Sequence, residues 1–188
     1  MYAPETTAIC SIEKPISIKT KRLILRPIVI SDLEIIQEYS LDNEWNRFLD
    51  FHTKESVKEF VDKAVNSDWK DNARFMISYN KNIIGSVGLY INQKEKHAEI
   101  GYSLSKKYWG NGIIPEAVNE IFNYGFNELG LDKIFAQTDL RNLPSQSVMK
   151  KMKMVQEGMF RKHVIQKNIR RDVVYYSILK NEWEENKL

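Results

Sequence analysis

With 188 residues, 43% of them hydrophobic and 28% charged, the chain is long enough for one substantial core and too short for two ordinary domains, and no apolar run approaches the roughly 18 residues that cross a membrane. A net charge of +3, with basic residues interleaved among acidic ones, leaves no nucleic-acid footprint, and the single cysteine, Cys10, excludes an internal disulfide framework. Pro4, Glu5 and Glu13 stand where a targeting segment would be basic and then apolar, so a cytoplasmic location is expected.

Residues 1–19 show no sustained period and are expected to form an amino-terminal arm, with residues 20–188 as a single domain. Strand alternation begins at 21–27, where Leu23 and Leu25 face away from Arg22, Ile24 and Arg26 before Pro27 closes the run. Ser31, three residues before Glu34, matches a capping box, so a helix carrying Leu33, Ile35, Ile36 and Tyr39 is expected to end near Ser40. Residues 42–51 set Trp45, Phe48, Leu49 and Phe51 among polar side chains, the composition of an aromatic-lined loop or a broken helix. Trp45 and Phe48 are therefore candidates for the wall of a substrate pocket. Thr53 caps a second helix with Val57, Phe60, Val61 and Ala64, expected to end near Trp69.

The period switches to two at 73–79 and 83–92, a hairpin across Asn80, Lys81 and Asn82, and a third antiparallel run occupies 97–104. It leads into Tyr108, Trp109, Gly110, Asn111, Gly112, Ile113, Ile114, Pro115, Glu116 and Ala117. Two glycines one residue apart, between a strand and a long helix, let several main-chain N–H groups converge on one anion. The stretch lacks the Lys and Ser/Thr of a Walker A loop, and Pro115 stands where a dinucleotide fingerprint needs its third glycine, so another phosphate ligand is indicated. The helix behind it places Ala117, Ile121, Phe122, Gly125, Phe126 and Leu129 on one face and ends at Gly130. A strand at 133–138, a turn and short helix from Asn142 toward Met154, and two strands at 155–163 and 170–178 joined by Gln166, Lys167 and Asn168 complete the chain. Between Lys150 and Arg171 eight basic residues meet one acid, Glu157, a pattern read as a solvated basic face or, alternatively, as one that attracts a polyphosphate or an acidic partner surface. This order predicts an α+β fold, a mixed and mainly antiparallel central sheet flanked by helices, with one β-α-β crossover at the cradle.

The cradle resembles the acetyl-CoA motif of the GCN5-related N-acetyltransferases, Gln/Arg-x-x-Gly-x-Gly/Ala, at Trp109, Gly110, Asn111, Gly112, Ile113 and Ile114. Trp109 in the first position, Ala98, Glu99, Ile100, Gly101 and Tyr102 before it, and Glu116 and Ala117 after it resemble the branch that acetylates ribosomal-protein amino termini. The opening strand at 20–27, Asn142 with Ser145, Glu157 and Gly158 with Arg161, and Asp172, Tyr176, Ser177 and Trp183 extend the resemblance over most of the chain. The resemblance implies direct transfer of acetyl from acetyl-CoA to a primary amine, preferably a protein or peptide amino terminus. Its alternatives are a small amine (amino acid, polyamine or aminoglycoside) and a catalytically silent CoA-binding module. It further implies that the backbone of Tyr102, Ser103 and Leu104 pairs with the pantetheine arm, that Gly110 to Pro115 hold the pyrophosphate, and that Asn142, Ser145 and Lys151 complete the CoA site, in a monomer or homodimer.

Acetyl transfer needs a neutral amine, a donor to the developing oxyanion and a proton for the departing thiolate. Glu99, on the strand that feeds the cradle, is the candidate base, and the Leu104 N–H the candidate oxyanion donor. The glutamate and tyrosine that often serve the superfamily as base and acid are here Gln137 and Met149, which leaves Ser145 or Tyr176 for the leaving-group proton. His163 follows Arg161 and Lys162 and is read as a surface residue; three scattered histidines and one cysteine give no metal-ligand spacing, so no metal is expected. Lys153 and Met154 replace the usual Gly and Phe after the short helix, and altered local geometry is expected there.

Overall fold

The computed structural model describes residues 14–15, 17–40, 42, 45–48 and 53–185; Cys10, Glu13, Leu49 and Phe51 lie outside them. In chain order the elements are β1 (Ile18–Lys19), β2 (Leu23–Pro27), α1 (Leu33–Ser40), α2 (Lys54–Asn66), β3 (Asn72–Tyr79), β4 (Asn82–Asn92), β5 (His97–Leu104), α3 (Ile113–Asn123), β6 (Lys133–Asp139), α4 (Leu143–Lys151), β7 (Val155–Gln166), β8 (Ile169–Leu179) and α5 (Lys180–Glu185). The strands form one sheet in the order β1-β2-β3-β4-β5-β6-β8-β7, antiparallel throughout except for the parallel β5–β6 pair that the α3 crossover joins. This is the expected mixed α+β architecture.

Alternation gives the sheet two unlike faces. Phe75, Val87, Leu89, Ile100, Ile134 and Tyr176 point to one side and bury against Ala117, Ile121 and Phe122 of the crossover helix, Phe126 of the π-helical turn Tyr124–Glu128 that continues it, and Trp183 of α5, whose indole lies 5.3 Å from the Phe126 ring. The same strands turn Arg74, Ser86, Tyr90, Glu99, Ser103 and Gln137 to the other side. There α1 and α2 cover only part of the sheet, through a smaller cluster of Ile28, Ile36, Val57, Val61, Ala64 and Met76. The core therefore sits under α3, and the polar face is left to line a cavity.

Local chemistry sets the boundaries. Thr53 caps α2 by accepting from Ser56 N at 3.2 Å, and that helix stops at Asn66, short of Trp69, which is instead buried against Phe75. The start of α1 differs from expectation. Asp32, not the Ser31 and Glu34 pair, closes the turn: its carboxylate accepts from Val29 N at 2.9 Å and from Arg26 at 2.6 and 2.8 Å. The β3–β4 and β7–β8 hairpins use two-residue turns with left-handed central residues, Asn80 and Lys81 (φ 48 and 67) and Lys167 and Asn168 (φ 50 and 58), so β7 and β8 run further than their apolar pattern indicated. The expected distortion after α4 is absent. Lys153 takes φ 61, and the Met154 N to Met149 O and Lys153 N to Lys150 O bonds, both 3.0 Å, make a complete Schellman ending on a non-glycine residue. Two elements carry no signal in the apolar pattern: the two-residue β1, which pairs with β2, and α5. Among the described residues no helix is long and apolar enough to cross a membrane.

Candidate active site

The site opens where the parallel strands part. Pairing between β5 and β6 spans only His97↔Lys133 to Glu99↔Phe135, although both strands continue. On its other edge β5 stays paired with β4, and Ser105 N donates to Ile84 O at 2.7 Å. Because antiparallel residues alternate between bonded and non-bonded pairs, the amides of Tyr102 and Leu104 face away from β4 into the opening. The Leu104 carbonyl is held by two indoles, Trp45 Nε1 at 2.7 Å and Trp109 Nε1 at 2.8 Å.

The glycine cradle lies at the mouth of this opening. Gly110 (φ +78) and Gly112 (φ +70) are left-handed, and Gly112 caps α3 with no side chain. A β-carbon would meet nothing within 4 Å at Gly110 and only Arg22 Nη2, at 3.7 Å, at Gly112. The glycines are thus required by backbone conformation, and the space over them is open to a ligand. The first-turn amides of Ile113 and Ile114 have no partner within the helix, which together with the positive φ pair fits a pyrophosphate. Glu116 would oppose an anion in this turn. Its carboxylate is occupied by Thr20 Oγ1 (2.5 Å), Arg22 N (2.8 Å) and Arg22 Nε (2.6 Å), while Arg22 Nη1 also binds Asn111 O at 3.1 Å. Burial alone would raise the Glu116 pKa, but these partners hold it below the usual carboxylate range.

On the polar face of the sheet, a cavity of about 460 Å³ is lined by Phe48, Phe60, Arg74, Tyr90, Glu99, Gln137, Asn142, Met149 and Gln166 among others. Lys167, in the β7–β8 turn, reaches across to Asn46 O and Oδ1 at 3.0 and 2.9 Å and ties that hairpin to the Trp45–Phe48 turn. Half-buried Glu99 stands inside the cavity. Burial raises its pKa above the ordinary carboxylate value, against opposing contributions from a Gln137 hydrogen bond and from Arg74. Gln137 Oε1 is buried and has no partner. An amine placed against Glu99 would therefore find a carboxylate that can take a proton and an amide oxygen that can accept an N–H.

Other residues singled out from sequence take varied positions. Asn142 caps α4, accepting from Ser145 N at 3.3 Å, and Ser145 Oγ lies 3.0 Å from Tyr102 Oη. Burial pushes the Tyr102 hydroxyl up to about 12, opposed by its bond to Ser145. Tyr176 is elsewhere. It is fully buried on the α3 side and donates to Gln146 and Gln156 at 3.3 and 3.1 Å, away from the cavity wall. Lys151 is exposed on the last turn of α4. Phe48 lines the cavity with Glu99, whereas Trp45 lines a second one beside Lys106 and Tyr108. His163 is exposed on β7 against Phe160 and Tyr175. Among the described residues no three His, Cys, Asp or Glu side chains cluster as metal ligands. Gln137 is marked in the sequence only as the departure from the superfamily's base glutamate, and Arg74 and Tyr90 carry no motif. The available signal is an arginine inside the otherwise apolar strand 73–77.

The sequence profile of the acetyltransferase (GNAT) domain matches residues 22–155. YnaD of Bacillus subtilis, named as an uncharacterized N-acetyltransferase, is 33% identical over 88% of this chain and 98% of its own. YdaF of the same organism, whose name assigns it provisionally as a ribosomal N-acetyltransferase, is 27% identical over 95% of this chain and 98% of its own. A GNAT-family acetyltransferase structure from Bacillus anthracis superposes with a TM-score of 0.79 at 30% identity, covering 88% of this chain and 99% of that one.

Proposed function

The chain belongs to the GNAT acetyltransferase family, and we propose that it transfers acetyl from acetyl-CoA to a primary amine, with a protein or peptide amino terminus as the preferred acceptor. The observation that carries this reading is the half-buried Glu99, its pKa raised chiefly by burial, beside an unpartnered Gln137 oxygen at the strand opening.

The residues divide the work as follows. Gly110 to Ile114 take the pyrophosphate on main-chain amides, and the amides of Tyr102 and Leu104 pair with the pantetheine arm and the thioester oxygen. Glu99 takes a proton from the ammonium form of the acceptor, and Gln137 Oε1 holds a remaining N–H. As the amine nitrogen bonds to the acyl carbon, the C–S bond breaks; Ser145 Oγ, backed by Tyr102, supplies the sulfur with a proton, and the nitrogen loses its second proton to the same network. Asn142 fixes Ser145, and Lys151 adds a cation at the rim of the CoA site. An α-amine of pKa about 8 is roughly 10% neutral at pH 7, against on the order of 0.04% for lysine, so an amino terminus asks least of this base. The provisional name of YdaF points the same way. The cavity of about 460 Å³, bounded by Phe48 and Gln166, supports a second reading, a small amine.

Thiol release from acetyl-CoA over a panel of amino-terminal peptides and small amines tests the proposal, with CoA binding followed by calorimetry. Turnover of peptides is expected. Turnover of small amines alone would overturn the acceptor preference, and CoA binding with no turnover would leave a silent CoA-binding module.

A further inference from the structure

Arg74 is the most conspicuous charge that acetyl transfer does not use. It is only 5% exposed, on the third strand of the sheet, yet no carboxylate of the described residues lies within 4.0 Å of it. Glu99 acts on it only electrostatically, without an ion-pair contact, and arginine stays charged under all ordinary conditions. Its direct contacts are neutral: Nε donates to Asn72 Oδ1 at 3.1 Å, and the guanidinium stacks 3.8 Å from the Tyr90 ring and 5.5 Å from that of Phe60. These contacts fix the plane of the fork and leave its outer edge on the cavity.

The backbone is built to lay this side chain toward the reaction centre. Arg74, Gly88 and Gly101 stand in register on β3, β4 and β5. A β-carbon at Gly88 would sit 2.7 Å from Arg74 Cδ, and one at Gly101 would sit 3.4 Å from Nη1. The two glycines clear a trough across the sheet, and the guanidinium lies along it over Gly101. Glu99 is two residues away on the same strand face, roughly 7 Å along the backbone. A basic fork and a carboxylate base thus share one cavity at the spacing of a small bifunctional molecule.

We propose that Arg74 is a specificity-determining residue that binds a carboxylate carried by the acceptor, so that the substrate is an amine with a carboxylate within a few bonds of the reacting nitrogen. This rests on the acetyl-transfer reading above. Two sources share the chemistry, the α-carboxylate of a free amino acid and the side chain of an acidic residue at a peptide amino terminus. A guanidinium receives either one by two parallel N–H···O bonds. A polyamine would bring a second positive charge to the fork and be rejected.

The test uses the full chain with acetyl-CoA and two matched pairs: alanine against alaninamide, and peptides beginning with Asp against the same peptides beginning with Asn. Values of kcat/KM are corrected for each amine's neutral fraction. The carboxylate member of one pair is expected to win by about 100-fold, and the winning pair identifies the source. Arg74→Gln should collapse that ratio to within about threefold, and Arg74→Lys, which keeps charge but not the fork, should retain only part of it. Calorimetric CoA binding reports whether each variant is folded; if Arg74→Gln is not, the wild-type ratio and Arg74→Lys decide. No preference in either pair, or a ratio unchanged in the variants, overturns the proposal. If wild type turns over no amine, acetyl transfer itself fails. Binding of N-acetylalanine and of the N-acetylated Asp-initiated peptide to the CoA-loaded protein then reads the Arg74 site directly. Binding lost in Arg74→Gln supports it, and equal or absent binding overturns it.

Discussion

Trp45 and Trp109 donate their indole N–H groups to one and the same oxygen, the Leu104 carbonyl, at 2.7 and 2.8 Å. One indole comes from the turn that carries Phe48 into the cavity holding Glu99, the other from the edge of the glycine cradle. The end of β5, whose amide is assigned to the thioester oxygen, is thus clamped from both substrate sides. Since either indole alone satisfies the carbonyl, Trp45→Phe or Trp109→Phe should each lower kcat only about threefold. The double variant leaves a buried oxygen unpaired, which costs about 1–3 kcal/mol and frees the strand end. Its kcat should fall about 30-fold or more, beyond the product of the single effects. A double-mutant cycle on kcat that multiplies out would show that the indoles act independently of Leu104.

Glu99 links rate to pH in one direction and stability in the other. Burial, only partly offset by Gln137 and Arg74, raises its pKa, so kcat should climb as pH rises through a midpoint above the ordinary carboxylate range, and Glu99→Gln should remove that limb with a loss of about 10²–10⁴ in kcat. Between the unfolded and folded pKa values the folded state binds more protons, so this group's contribution to stability declines as pH rises across that window. Glu99→Gln should therefore raise the unfolding midpoint above the window and leave it little changed below the unfolded value. Melting curves at both ends check the sign; a variant destabilised at high pH would show that the carboxylate is held by its partners rather than strained by burial.

The proposed donor side of this site is legible in the sequence because it is local. Gly110, Gly112 and the start of α3 are consecutive, and left-handed backbone leaves a glycine signature. Glu99 and Leu104 follow from their place on the preceding strand. The acceptor side is assembled from distant segments, with Lys167 meeting Asn46 across 121 residues and Arg74 reaching the site only because Gly88 and Gly101 fall in register beside it. Neither relation leaves a local pattern. The short β1 and α5 have too few residues to show a period, and Tyr176 has a strand spacing compatible with either face until the pairing of β6 with β8 turns it toward α3.

The cradle's requirement for glycine is conformational, which separates it from a simple need for space. A β-carbon at Gly112 meets no protein atom closer than 3.7 Å, so Gly112→Val should fold yet resist φ +70, while Gly112→Asn, from a residue class that enters the left-handed region more readily, should be milder. A penalty of about 1–2 kcal/mol corresponds to roughly a 5- to 30-fold weaker Kd for CoA in the valine variant. Calorimetric titration of both variants decides it, and equal loss in the two would assign the effect to crowding of the ligand instead.

Lys153 poses the complementary case, a left-handed position held by a residue with a β-carbon. The full pair of Schellman hydrogen bonds and the buried Met149 and Met154 at either side force φ 61 on it, at a strain of about 1–2 kcal/mol. Lys153→Gly relieves that strain but adds about 0.5–1 kcal/mol of unfolded-state entropy, for a net gain on the order of 0.5–1 kcal/mol. In a chain of 188 residues this should lift the thermal midpoint by about 1–4 °C. Because Lys153 lies beyond the end of α4 while Asn142 and Ser145 sit at its start, kcat should not change. A lowered midpoint would mean that the lysine side chain contributes more to the folded state than its backbone conformation costs.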